Sequence, residues 1–283
     1  MTKKIVILSG GPGLEKDIAL KSAGFIKKYI QEEYDFYELP KQMDTFLENK
    51  DKYSLAIPVF HGEYGEDGKI FAMLDLLNIA HIFSDYKTHA LCLDKEKANT
   101  LVYQLGIKVP FQYIAKTSES FPESYPAIMK PNQGGSSFHT YKINNHQEFY
   151  DSFNKTRADL KDDILIQEFI EGEEYSVPIV HGKVLPIMKL EKQDDQIFDY
   201  ESKYISDDII KETFPEITPE LKDKLTDQSL LAYNYFNIKT MARVEFIVKN
   251  NELYFLEVNT IPGLTEASIL PKAWGTSGKT LRN

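Results

Sequence analysis

At 283 residues, with 42% apolar and 27% charged residues, the chain has an ordinary globular composition and the length for two or three domains. A net charge of −10 argues against a general nucleic-acid binder and against a protein held on anionic membranes, since both need basic faces; any polyanion must be met by a local basic pocket. The one cysteine, Cys92, leaves no internal disulfide framework and no cysteine-based zinc site, which fits a reducing compartment. The apolar run behind Lys3-Lys4 is too short for a signal peptide, and no stretch approaches the roughly 20 apolar residues of a membrane span, so a cytoplasmic location is expected.

The run Lys4-Ile-Val-Ile-Leu8 ends in Ser-Gly-Gly-Pro-Gly, and Ile18, Ser22, Ala23, Ile26 and Ile30 follow at helical spacing. This predicts strand, glycine loop and helix, the opening of a doubly wound α/β domain. The loop lacks the G-x-G-x-x-G spacing of a dinucleotide fingerprint, and a plain turn fits it as well as a binding role. Glu15, at the start of the helix, has a simple reading as a dipole-stabilising carboxylate, worth about 0.3–1 kcal/mol. Residues 55–60 read as a buried strand that Pro58 pushes towards an edge or an end. It runs into His61-Gly-Glu-Tyr-Gly-Glu-Asp-Gly68, where three carboxylates, three glycines and a histidine meet at a strand's carboxyl end, the place where α/β folds bind ligands. Ile70, Met73, Leu74 and Leu77 then give one helix face.

Polar residues at 84–89 suggest a boundary before a helix over 94–105, which Asp94 caps and which carries Lys95 and Lys97. Strands are expected at 111–115, 127–130 and 138–143. Between the last two lies Lys130-Pro-Asn-Gln-Gly-Gly-Ser-Ser137, a lysine leading into a loop whose N–H groups and hydroxyls can wrap phosphate oxygens. A hairpin with a loose tip explains the same residues. A strand over 163–169 reaches Ile170-Glu-Gly-Glu-Glu174, and 175–180 with 183–190 reads as a hairpin turning at His181-Gly182. The polar segment 193–208 holds Tyr200-Glu-Ser-Lys-Tyr204 and is long enough to be a functional loop. A helix over 219–236 and strands over 240–248 and 252–258, joined by an Asn250-Asn251 turn, close the organised part.

In that last hairpin the period of two puts Arg243 and Glu245 on one face, with Glu257 and Asn259 across from them. Carboxylates and an amide carbonyl gathered in this way suit Mg²⁺, which prefers oxygen and bridges substrate phosphates. An isolated E-x-N is more often a half-buried strand with a wet side.

Taken in order, His61-Gly-x-x-Gly-Glu-Asp-Gly68, Lys130-Pro-x-x-x-Gly-Ser-Ser137, Tyr200-Glu-Ser-Lys-Tyr204, Arg243-x-Glu245 and Leu256-Glu-x-Asn-Thr-x-Pro-Gly263 resemble the D-alanine–D-alanine ligases of the ATP-grasp superfamily over nearly the whole chain. The resemblance implies an α/β (α+β) fold of three domains: a Rossmann-like N-terminal domain over 1–86, a central ATP-grasp subdomain over 87–165, and a C-terminal subdomain over 166–283. It implies ATP held by Lys95, Lys130, Ser136, Ser137 and Lys203, with Gln167, Glu168 and Ile170 at the adenine and Glu174 at the ribose. Mg²⁺, or Mn²⁺ in its place, would be held by Glu245, Glu257 and Asn259. Glu15 would bind the first substrate's ammonium, with Ser136 and Tyr204 beside it. Arg243 and the Gly263 N–H would stabilise the tetrahedral intermediate, Ser268 and the Ile269 N–H would take the second substrate's carboxylate, and His61 would flank the pocket. The implied reaction makes D-alanyl-D-alanine for peptidoglycan precursors through an acylphosphate, in a cytoplasmic homodimer that needs no nucleic acid or membrane partner.

The chain departs from the family pattern at several positions. Phe138-His139 stands where a glycine usually follows the Ser-Ser pair, Glu245 where aspartate is usual, and Phe71-Ala72 in place of a Gln-Gly pair. Twelve residues follow Pro271, which suggests a shortened C-terminal domain. A bulky His139 either restricts the phosphate loop or adds a phosphate contact. These departures leave open a ligase for another amino-acid pair and a nucleotide-binding protein without ligase activity.

Overall fold

The computed structural model describes residues 4–13, 15–135, 138–192 and 210–278. Ser136, Ser137, Lys203 and Tyr204, all expected at the site, lie outside the described residues.

The first sheet is parallel, in the order β2-β1-β3-β4, from β1 (Lys4–Gly10), β2 (Tyr34–Leu39), β3 (Tyr53–Val59) and β4 (Ala80–His81). Val6, Ile7 and Leu8 are fully buried because helices cover both faces of such a sheet, so its central strand reads as a continuous apolar run. α1 (Lys16–Lys27) turns Ser22 and Ala23 inward. α2 (Met43–Asn49) and α3 (Lys69–Leu76) complete the unit. Pro58 is placed as its missing N–H requires: β4 pairs with β3 only at Leu55 and Ala56, so Pro58 lies past the paired stretch on that side.

Two short helices follow, α4 (Tyr86–Leu93) and α5 (Lys95–Gln104). Most of the polar segment 84–89, where a boundary is expected, belongs to the first of these helices. Asp85 caps it through Thr88 N–H at 2.9 Å, and its polar residues are buried by tertiary contacts, with Thr88 Oγ1 donating to the Phe236 carbonyl at 2.9 Å. The second sheet is antiparallel, in the order β5-β8-β6-β7, from β5 (Gln112–Ala115), β6 (Ala127–Pro131), β7 (Tyr141–Ile143) and β8 (Ile164–Glu168), backed by α6 (His146–Asp159). The expected junction at 165/166 falls inside β8, which belongs to this sheet. Phe138 and His139 form a turn rather than the start of β7, and His139 has φ +54°.

The third sheet runs β12-β11-β9-β13-β14, with β9 (Glu173–Val180), β11 (Met188–Lys192), β12 (Ile210–Thr213), β13 (Met241–Lys249) and β14 (Glu252–Asn259), while the short β10 (Lys183–Val184) also pairs with β9. The single strand expected over 183–190 is broken before Met188, where Pro186 cannot donate to a ladder. α7 (Pro219–Tyr235), capped by Thr218, packs with α5 on this sheet around Val177, Val244, Phe246 and Phe255. After β14 the chain turns through Thr260 to Ser268 into α8 (Ile269–Thr276).

Phe71, one of the off-pattern residues, joins Phe83, Ile261, Leu264 and Leu270 in a core that packs α3 against the turn after β14. Its ring stacks on His89 at 4.1 Å, and His89 Nδ1 lies 2.7 Å from Thr260 Oγ1. An aromatic in place of a polar residue here is explained by that stack.

Candidate active site

A cleft of 790 Å³ lies where the three sheets converge. One wall comes from α1 and the loop after β3, a second from Lys95 with Gly134 and Gly135, and a third from the β13–β14 hairpin and the turn that follows. Of the expected residues, Glu15, His61, Lys95, Arg243, Glu245, Glu257, Asn259, Gly263, Ser268 and Ile269 all line it.

The hairpin sets the register. Arg243 is opposite Asn259 and Glu245 is opposite Glu257, a pairing reached through a one-residue register shift between Glu245 and Phe246, opposite which the chain runs from Phe255 to Glu257. Arg243 Nη2 lies 3.2 Å from Glu245 Oε1, and Lys95 Nζ lies 3.5 Å from Glu257 Oε2. Asn259 Oδ1 accepts the Ile261 N–H at 3.0 Å, which aims the amide oxygen along the turn and leaves it a second lone pair. Opposed carboxylates with cations beside them form a site of alternating sign, which matches a polyphosphate carrying a hard cation.

Lys130, near the end of β6, feels the charges of Glu257, Glu174 and Glu245. Loss of hydration is the larger effect and, with Lys95 nearby, pushes its ammonium down to about 8. The loop that follows is tied to the start of α5. Asn132 Oδ1 accepts the Glu96 N–H at 2.9 Å, Asn132 Nδ2 donates to Asp94 Oδ1 at 2.9 Å, and Lys95 Nζ donates to the Gly134 carbonyl. Asp94 also caps α5 as expected. Asn132 thus holds the two lysine-bearing segments together, a role the sequence signalled only by its place in the Lys130-Pro-Asn run.

Glu15 enters the cleft in a slot lined by glycines. A Cβ on Gly62, whose φ is +66°, would stand 2.3 Å from Glu15 Oε2, and one on Gly135 would stand 2.8 Å from Oε1. Beside it is a residue the sequence reading did not single out, Glu66, which is buried and accepts the Gly62 N–H at 2.8 Å. Burial, then the charge of Glu15, pushes its carboxyl up to about 8 against the opposing pull of the Gly62 N–H and Lys95. The three carboxylates of the 61–68 octapeptide were the available signal.

At the far end, Ser268 Oγ accepts the Thr265 N–H at 3.1 Å and lies 2.8 Å from Thr265 Oγ1. Ile269 opens α8, and N–H groups in a helix's first turn are suited to an anion. His61 is almost fully enclosed, and burial holds its imidazole down to about 4, so the ring is neutral.

The expected adenine residues do not line this cleft. The Gln167 amide is buried and donates to Gln112 Oε1 at 2.8 Å, Ile170 is buried, and Glu168 is exposed. Glu174 is half-buried and is linked to the cleft through its field at Lys130. His139 is held by Tyr141 and α6. Its Nδ1 lies 3.0 Å from the Tyr141 hydroxyl and its Nε2 lies 3.3 Å from Asp159 Oδ2 on α6.

The family model described as the D-ala D-ala ligase C-terminus matches residues 108–283. A D-alanine–D-alanine ligase of Fusobacterium nucleatum is 33% identical over 273 residues, covering 95% of this chain and 92% of that protein. A crystal structure of the Bacillus anthracis D-alanine–D-alanine ligase superposes with a TM-score of 0.88 at 28% identity, over 99% of this chain and 94% of that one. The same enzyme complexed with ATP gives 0.84 at 26% identity, over 98% and 92%. The three-sheet architecture is that of the ATP-grasp ligases. With one family matched over most of the sequence and carried through nearly all of the fold, the chain belongs to the D-alanine–D-alanine ligase family.

Proposed function

We propose that this protein joins two molecules of D-alanine in an ATP-dependent reaction that passes through an acylphosphate, and so supplies D-alanyl-D-alanine for peptidoglycan precursors. The observation that carries this reading is the sharing of one cleft by two sets of groups: Lys95, Glu245, Glu257 and Asn259 for a metal-bound polyphosphate, and Glu15, Arg243, Gly263, Ser268 and Ile269 for two amino acids.

The donor set supports Mg²⁺. Glu245, Glu257 and Asn259 offer two carboxylates and an amide on one wall of the cleft. That composition fits a small hard cation that completes its shell with water and substrate phosphate. When bound, Mg²⁺ supplies charge neutralisation at the β- and γ-phosphates.

In the first step a carboxylate oxygen of one D-alanine forms a bond to the γ-phosphorus as the bond to ADP breaks. Glu15 orients that substrate through its ammonium, and Lys130 and Lys95 offset the charge that gathers on the phosphoryl group. In the second step the neutral amine of the other D-alanine attacks the acyl carbon. Arg243 and the Gly263 N–H meet the developing oxyanion; the acyl C–O bond then breaks, and inorganic phosphate leaves with the proton that the nitrogen gives up. Ser268 and the Ile269 N–H hold the second carboxylate, and exclusion of water during the reaction protects the acylphosphate from hydrolysis. The adenine and ribose roles of Gln167, Glu168, Ile170 and Glu174, the roles of Ser136, Ser137, Lys203 and Tyr204, a three-domain division, the homodimer and a cytoplasmic location belong to the same proposal. No helix among the described residues is long and apolar enough to cross a membrane.

The test is phosphate release with ATP and Mg²⁺ against a panel of D- and L-amino acids. Release that requires D-alanine supports the proposal. Release with another amino acid alone selects a different substrate pair, and tight ATP binding without any release selects a non-catalytic role.

A further inference from the structure

Ser22 lies on the inner face of α1 and is fully buried. Its Oγ is 3.1 Å from His61 Nε2, and the Leu264 N–H donates to the same oxygen at 3.4 Å. His61 in turn hydrogen-bonds the Ile261 backbone. The contacts therefore leave the turn after β14 at Ile261, cross His61 and Ser22, and return to that turn at Leu264. Pro262 and Gly263 stand between the two anchor points.

Donor and acceptor chemistry fixes the direction of each bond. A neutral imidazole has one N–H and one acceptor nitrogen, and a backbone carbonyl can only accept. With Nε2 facing Ser22, the proton that reaches Ile261 is on Nδ1. Nε2 is then an acceptor, the Ser22 hydroxyl donates to it, and the Ser22 lone pairs are left for the Leu264 N–H. The circuit is consistent at every atom. Alanine at 22 would take the partner from both His61 Nε2 and the Leu264 N–H in a buried place, where such losses are costly. A buried serine with its hydrogen bonds satisfied is commonplace; what is particular here is that both partners lead to the same four-residue turn, and that this turn carries Gly263.

We propose that Ser22 is a positioning residue which, acting through the Nδ1–H tautomer of His61, clamps the turn from Ile261 to Leu264 and so sets the Gly263 N–H for the tetrahedral intermediate. The clamp stands on the contacts that link Ser22, His61, Ile261 and Leu264, and its catalytic consequence rests on the ligase reading.

The test uses the full chain and Ser22→Ala. Long-range ¹⁵N spectra of the imidazoles in the ligand-free protein should show His61 as the neutral Nδ1–H tautomer with a hydrogen-bonded Nε2. The Nε2 signal should move to that of an unbonded nitrogen in Ser22→Ala, with faster exchange of the Leu264 amide. An Nε2–H tautomer, or an unmoved signal, overturns the clamp. In turnover, Ser22→Ala should lower kcat for dipeptide about tenfold to a hundredfold. KM for ATP should stay within about twofold, and the yield of dipeptide per phosphate should fall below one as captured acylphosphate gives way to hydrolysis. A lower melting midpoint with unchanged kcat and yield would make Ser22 a packing residue only and overturn the catalytic half. A wild-type protein without D-alanine-dependent phosphate release defeats the ligase reading instead, and the imidazole spectrum still decides the clamp.

Discussion

Glu245 and Glu257 stand directly opposite one another across the β13–β14 hairpin, one beside Arg243 and the other beside Lys95. Two like charges on facing positions destabilise a sheet unless something of opposite sign lies between or beside them. Here the neighbouring cations hold the pair in the resting protein, and the proposed reaction adds a metal. Glu257→Ala should therefore reduce turnover at saturating ATP by about a hundredfold or more, by analogy with the loss of a group that meets transition-state charge. Steady-state kinetics across a Mg²⁺ titration check this, and an unchanged rate contradicts the metal assignment. Glu245→Asp, which restores the usual family residue, should keep turnover within about tenfold and shift the Mg²⁺ half-saturation, because one methylene moves a ligand by roughly an ångström against ligand distances of about 2.0–2.1 Å.

Lys130 should take up a proton when ATP binds. Its ammonium is pushed down to about 8, so at pH 8 about half of the molecules carry a neutral lysine. A polyphosphate favours the charged form and raises the pKa. Calorimetric titrations in buffers of different ionisation enthalpy should show uptake at pH 8 that fades by pH 6, where the lysine is already charged. Lys130→Arg should abolish it, since guanidinium stays charged throughout. Equal heats in all buffers at pH 8 contradict the assignment.

The hairpin was the most legible part of the site because its information is local. A period of two gives the alternation along each strand, but regular pairing counted from the Asn-Asn turn would set Arg243 opposite Val258; the register shift between Glu245 and Phe246, which no local pattern announces, brings it opposite Asn259. The parallel strand β1 was legible for a similar reason, as an unbroken apolar run. What could not be read depends on partners far away in sequence. β2 is Tyr34-Asp-Phe-Tyr-Glu-Leu39, whose polar residues interrupt any run, and its inner positions Tyr37 and Leu39 are known only from packing. The polar start of α4 is buried against Phe236 and Thr260, which no local pattern contains. Ser22 was visible as one position of a helix face, but its link to Leu264 spans 242 residues.

Glu66 makes the ligand-free protein sensitive to alkali. A carboxyl held up to about 8 by burial and by Glu15 favours the native state fully below its unfolded pKa, and that contribution is lost as pH rises through about 8. Glu66→Gln keeps an acceptor for the Gly62 N–H without the charge. Its melting midpoint should change less than that of the wild type between pH 5 and pH 8.5, so the variant gains relative stability at the alkaline end. Parallel curves for the two proteins contradict the shift.

His139 should matter to stability more than to nucleotide binding. It is buried against Tyr141 and Asp159, with Thr156 Oγ1 3.4 Å from Nδ1. His139→Gly loses those contacts, a cost of about 1–3 kcal/mol, and regains a little because glycine accepts the φ of +54° without strain. Denaturant unfolding should show the net loss, while the Kd for ATP stays within about threefold. A large loss of ATP affinity with unchanged stability contradicts this placement.

The most direct test of the acylphosphate route follows one oxygen atom. With D-alanine labelled by ¹⁸O in its carboxylate, attack on the γ-phosphorus places a carboxylate oxygen between carbon and phosphorus, and that oxygen leaves with phosphate when the amine attacks. Mass spectrometry should find one ¹⁸O in the released phosphate for each D-alanyl-D-alanine formed. Dipeptide formed with phosphate that carries no label would contradict the account.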